Sequence, residues 1–155
     1  ATQRLTALAR IEGRSSDTRP VVLFLCVHNA GRSQMALGFF ENLAGDRVIG
    51  WSGGSEPAST INPAAIEAMA ERGIDISREF PKPWTDEVVQ AADVVVTMGC
   101  GDSCPIFPGT RYEDWPVDDP EGMDLSAVRV VRDDIERRVR SLLESLVPAE
   151  AELQA

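Results

Sequence analysis

Apolar positions along the chain change their spacing several times, and each change marks an element. Val21-Val22-Leu23-Phe24-Leu25, joined by Val27, is a continuous apolar run rich in β-branched residues and predicts a buried strand. Met35, Ala36, Phe39, Phe40 and Leu43 then recur at helical spacing. Ala44-Gly45-Asp46 reads as a turn, Arg47 to Ser52 as a second strand, and Gly53 to Pro57 as a loop. Asn62-Pro63 opens a helix, with Asn as cap and Pro at its first position; Ile66, Met69 and Ala70 mark its apolar face. Thr85 caps a short helix carrying Asp86 and Glu87 where the dipole favours them. Val94 to Met98 is a second buried strand-like run, and Arg111 to Trp115 a fourth candidate strand. Ser126 caps a last helix with Val128, Val131, Ile135, Val139, Leu142, Leu143 and Leu146 on one face. Pro148 stops that helix, and the acidic tail beyond it frays.

Strands and helices therefore alternate. That predicts an α/β fold: a single domain with a four-stranded parallel sheet flanked by helices. Residues 1–19 are polar and rich in Ser and Arg, with weak helical character in Leu5, Leu8 and Ile11. They read as an N-terminal extension, mobile or loosely docked, before a domain spanning 20–155. A length of 155 residues suits one domain with a proper core. The net charge of −10 argues against a nucleic-acid partner, whose phosphates need Lys and Arg. Nothing reads as a membrane span or secretory signal, and three cysteines point to reactive thiols in a reducing cytoplasm rather than a disulfide framework.

The chemistry concentrates at the end of the first strand, in Cys26-Val27-His28-Asn29-Ala30-Gly31-Arg32-Ser33. A tight loop entering a helix N-terminus offers free N–H groups to an anion. Arg32 adds a fork for two anion oxygens. The same positive field favours a sulfur anion at Cys26. One segment thus supplies a nucleophile, Cys26, and an oxyanion cradle formed by His28, Asn29, Ala30, Gly31, Arg32 and Ser33. A second informative stretch, Cys100-Gly101-Asp102-Ser103-Cys104, holds two thiols one helical turn apart, close enough to bond or simply lying near each other. A zinc site from Cys26, Cys100, Cys104 and His28 is the alternative, but the usual zinc spacing is missing and the anion loop is left unexplained. Asp118-Asp119-Pro120 lies after the fourth strand, as a turn or as a proton donor. The carboxyl ends of all these strands should meet at one sheet edge.

The Cys-x5-Arg-Ser pattern between a strand and a helix resembles the phosphate-binding loop of the low-molecular-weight tyrosine phosphatases and of the arsenate reductases built on that fold. The resemblance runs from Val21 to about Leu146. It implies that Cys26 attacks arsenate, Cys100 releases arsenite, and Cys104 resolves to a disulfide that thioredoxin reduces. It further implies that Asn29 ties the loop into shape, Ser33 donates to Cys26, and Asp119 protonates the leaving oxygen. Thiols in series suit a two-electron reduction, which a phosphate ester does not require. Glu121-Gly122 follows Pro120, where the resembled phosphatases place aromatics to flank a phenyl ring. Three alternatives stay open: a phosphatase, a reductase that uses a small thiol (mycothiol with mycoredoxin, or glutathione), and a redox sensor. Some relatives bind potassium through a Glu early in the first helix; Leu37 stands there, so no such ion and no other cofactor is expected.

Overall fold

The computed structural model describes residues 2–99 and 107–147. Among the described residues the elements follow in the order α1 (Thr2–Ile11), β1 (Val21–Cys26), α2 (Arg32–Ala44), a 3-10 turn (Gly45–Arg47), β2 (Ile49–Gly54), α3 (Pro63–Ala70), α4 (Asp86–Ala91), β3 (Val94–Met98), β4 (Arg111–Asp114) and α5 (Leu125–Leu146). The strands form one sheet in the order β2-β1-β3-β4. Every pairing is parallel, with Phe24 opposite Ser52 on one side and Val96 on the other. All six residues of β1 are buried, which explains why it reads as an unbroken apolar run.

The pleat sends alternate residues to two cores. Val22, Phe24, Val94 and Val96 face α2, α3 and α5. Val21, Leu23, Leu25 and Val95 face Val88 and Val89 of α4 and Ala7 of α1. On the first face Phe40 meets Phe24 edge-on at 5.4 Å and Trp115 meets it tilted at 6.0 Å. The parallel α/β expectation holds. Among the described residues no helix is long and apolar enough to cross a membrane.

Three local expectations are corrected. The N-terminal residues are not loosely held: α1 buries Ala7 completely, and Gln3 exchanges two hydrogen bonds with the backbone of Ser52 on the edge strand β2. The second strand starts at Ile49 and runs through Gly53-Gly54, which read as a loop. The last helix is capped by Asp124, whose carboxylate accepts from Ala127 N–H at 2.9 Å, rather than by Ser126. Asn62 and Thr85 cap as expected. The tail from residue 148 lies outside the described residues.

α5 is fastened to α3 by charge. Glu71 accepts from Arg129 and Arg132, and these two guanidinium groups hold its carboxyl well down, from 4.5 to about 2. A depressed carboxyl stabilises the fold above its ordinary range and loses that contribution as the pH falls through the folded value. Glu71→Gln is therefore expected to lower the urea midpoint at pH 7, with the gap to wild type closing as the pH falls toward 2. A gap that is constant with pH would show that the lost contact is not ionic.

Candidate active site

β1 ends in Cys26, and the chain turns through residues 27–31 into α2. Gly31 caps α2 without a side-chain hydrogen bond, and the first turn carries no acidic residue. The first N–H groups of α2 are thus left for an anion, as the loop pattern predicts.

Asn29 shapes the loop. It adopts φ = 49°, a left-handed conformation that Asn tolerates better than most residues. Both polar atoms of its side chain are engaged: Nδ2 donates to Ser33 Oγ at 2.6 Å, and Oδ1 accepts from Lys82 N–H and Gln34 Nε2, each at 3.1 Å. Its own N–H points back at Cys26 Sγ, 3.3 Å away. Ser33 Oγ lies 2.9 Å from the same sulfur. Because Ser33 accepts from Asn29, its own proton is available to the sulfur. Two donors therefore converge on Sγ and stabilise negative charge there. Asn29 and Ser33 are completely buried, so water does not compete for these bonds.

Arg32 is almost buried. Its Nη2 lies 3.6 Å from Asp119 Oδ2, which brings the third sequence segment to the loop. Asp119 Oδ1 accepts from Glu121 N–H at 3.0 Å, and Asp119 rather than Asp118 lines the cleft. Two glycines make these approaches possible. A Cβ on Gly31 would stand 2.8 Å from Pro120 Cγ. A Cβ on Gly99 would stand 2.6 Å from Arg32 Nη1, and Gly99 also has φ = +89°. The residue that precedes Cys100 therefore lies against the guanidinium. Cys100 and Cys104 themselves lie outside the described residues.

Cys26, Ala30, Gly31, Arg32 and Asp119 border a cleft of about 650 Å³. Its far wall is the segment from Glu56 to Pro63, docked by Glu56 N–H on Val27 O, Ala58 N–H on His28 O and Asn62 N–H on Ala30 O. His28 lines the same cleft, and its Nδ1 sits 3.0 Å from Glu56 O.

The sequence reading missed three contributors. Gln34 Nε2 donates to Asn29 and to Phe80 O, a tie that its polar place beside apolar Met35 and Ala36 hints at. Lys82 joins Asn29 through its backbone and donates from Nζ to Ser52 Oγ at 3.0 Å; burial pushes its ammonium down from the ordinary lysine value. The Glu56–Pro63 wall is the third. Neither Lys82 nor the wall carries a local signal.

The arrangement thus combines a cysteine with two converging donors, a cradle at a helix N-terminus, one buried arginine and a carboxylate at the rim. A family model for low molecular weight phosphotyrosine protein phosphatase matches residues 21–152. The chain belongs to that family. Within it, the chain is 36% identical over 139 residues to a putative arsenate reductase of Halobacterium salinarum, covering 86% of this chain and 98% of the relative. It is 40% identical over 127 residues to arsenate reductase 2 of Staphylococcus epidermidis, covering 79% and 95%. Among solved structures, a thioredoxin-dependent arsenate reductase of Corynebacterium glutamicum superposes with a TM-score of 0.84 at 48% identity, over 94% of this chain and 70% of that one. A low molecular weight protein tyrosine phosphatase of T. tengcongensis shares the family fold, with a TM-score of 0.73 at 26% identity over 83% of this chain and all of that one.

Proposed function

We propose that this protein reduces arsenate to arsenite, with Cys26 as nucleophile and Cys100 and Cys104 as the thiols that supply the electrons. Arsenate sits on the loop N–H groups and the Arg32 fork. Cys26 Sγ attacks arsenic, an As–S bond forms, and an arsenic oxygen leaves as water with a proton from Asp119. The Cys100 thiolate then attacks Cys26 Sγ. The S–S bond forms as the As–S bond breaks, and the electron pair leaves with arsenic, which is now arsenite. Cys104 attacks Cys100, freeing Cys26 and leaving a Cys100–Cys104 disulfide. Two thiols are oxidised for one arsenic reduced, so a dithiol reductant closes the cycle.

The observation that carries this reading is Gly99 against Arg32. It puts the residue before Cys100 beside the oxyanion arginine, which supports Cys100 as the second thiol. The names of the relatives favour the same substrate, and the thioredoxin dependence of the C. glutamicum enzyme favours thioredoxin as the reductant. A relative in Synechocystis named glutaredoxin arsenate reductase, and the small thiol mycothiol, define the competing reductants.

The phosphatase reading shares the loop. Against it stands the cleft, whose described lining holds no Phe, Tyr or Trp to flank a phenol. The test is Cys100→Ser. Multiple-turnover arsenate reduction with thioredoxin and its reductase is expected to fall to background, while any aryl phosphate hydrolysis survives. Full arsenate turnover in Cys100→Ser would remove the relay.

A further inference from the structure

One titratable side chain at the cleft has no part in the chemistry above. The His28 ring is less than half exposed and bridges two rim segments. Nδ1 lies 3.0 Å from the Glu56 carbonyl oxygen. A carbonyl only accepts, so Nδ1 carries the proton in the neutral ring and Nε2 presents a lone pair. Nε2 lies 3.9 Å from Glu121 Oε2. In the neutral ring a lone pair therefore faces a carboxylate, and the contact is repulsive. In the imidazolium an N–H faces it, and the contact is an ion pair.

Glu121 is no bystander to Asp119. Its N–H donates to Asp119 Oδ1, and the intervening Pro120 packs on Gly31 of the oxyanion loop. A pull on Glu121 is thus a pull on the proton donor. The charged or titratable groups that line the same cleft are Cys26 and Arg32 from the loop, Glu56 from the far wall, and Asp119 and Glu121 from the segment after β4. Arg32 already faces Asp119, which leaves His28 as the group of the loop that meets Glu121.

We propose that His28 is a protonation-operated clasp: its imidazolium draws Glu121 onto the rim and so positions Asp119 over the bound oxyanion. This deepens the reductase reading and rests on Asp119 as donor. His28 is a positioning residue. It acts on the rate of the first step, not on oxyanion affinity.

The test follows the pre-steady-state loss of the Cys26 thiol with saturating arsenate between pH 5.5 and 8.5, in a Cys100→Ser background that cannot regenerate it. Wild type, His28→Gln, Glu121→Gln and the double variant are compared. Glutamine keeps a donor for Glu56 O but cannot carry the charge. Each single variant is expected to be slower by about fivefold at pH 6, the scale of a surface ion pair, and by less than twofold at pH 8.5. The double variant is no slower than the singles, and the affinity for inorganic phosphate changes less than twofold. A ratio that is flat with pH, a loss confined to phosphate affinity, or effects that multiply in the double variant would overturn the clasp. A second readout needs no turnover. The Gly122 amide resonance should titrate together with the His28 imidazole in wild type and not in Glu121→Gln. If wild type fails to consume arsenate, the reductase reading falls while this coupling still decides the clasp; if the coupling is absent, the clasp falls alone.

Discussion

Cys26→Ser abolishes arsenate-dependent oxidation of the reductant, by at least about a thousandfold in kcat. The reason is chemical before it is steric. A serine at this position can keep the contacts from Ser33 Oγ and Asn29 N–H, which lie 2.9 Å and 3.3 Å from the sulfur. It cannot form the S–S bond through which two electrons reach arsenic. The fold is expected to persist, since the substitution is close to isosteric and the loop is tied by Asn29, Gln34 and Lys82. Binding of inorganic phosphate should therefore survive in the variant, measured by calorimetry. Loss of both phosphate binding and the folded signal would show that Cys26 is needed for structure instead.

Arg32→Lys lowers kcat/KM for arsenate by about 100- to 1000-fold, the scale seen when one donor to a developing oxyanion is removed. Lysine keeps the charge but loses the planar fork. The guanidinium stands almost buried between Asp119 and the Gly99 backbone, a slot shaped for a flat group. The same geometry gives Gly99→Ala a related outcome. Its Cβ would meet Nη1 at 2.6 Å and would have to adopt φ = +89°, so the arginine or the backbone must move. Steady-state kinetics on both variants checks the point: Gly99→Ala should weaken arsenate binding although no ligand contact is deleted. Wild-type kinetics in Gly99→Ala would mean that Arg32 is not held where the oxyanion sits.

What could be read without coordinates was whatever the local chain dictates. The run Val21 to Leu25, the β3 strand Val94–Met98, and the caps at Asn62 and Thr85 each carry their cause within a few residues. So does the loop, because strand, cysteine, glycine and helix start are contiguous. Features with distant causes were not legible. Gly53 and Gly54 read as a loop because glycine weakens strands. They lie in β2 because they pair with Leu25 and Cys26 of β1, and neighbours crowd the space a side chain would need: a Cβ would meet Trp84 N at 3.0 Å and Val27 O at 2.6 Å. α1 reads as weak because Leu5, Leu8 and Ile11 are its few large apolar residues, and Leu5 and Ile11 are exposed. Its hold comes from small Ala7 and from Gln3 pairing with a strand 49 residues away. Lys82 reaches Asn29 across 53 residues, a tie that no local pattern announces.

The most direct test of the central claim is a mass-spectrometric disulfide map after one arsenate turnover without reductant, with the arsenite released counted alongside. The relay predicts one arsenite per chain, a Cys100–Cys104 disulfide, and Cys26 free. A Cys26–Cys100 disulfide would exclude Cys104 as the resolving thiol. Three free thiols and no arsenite, in protein that binds arsenate, would contradict the reductase relay outright.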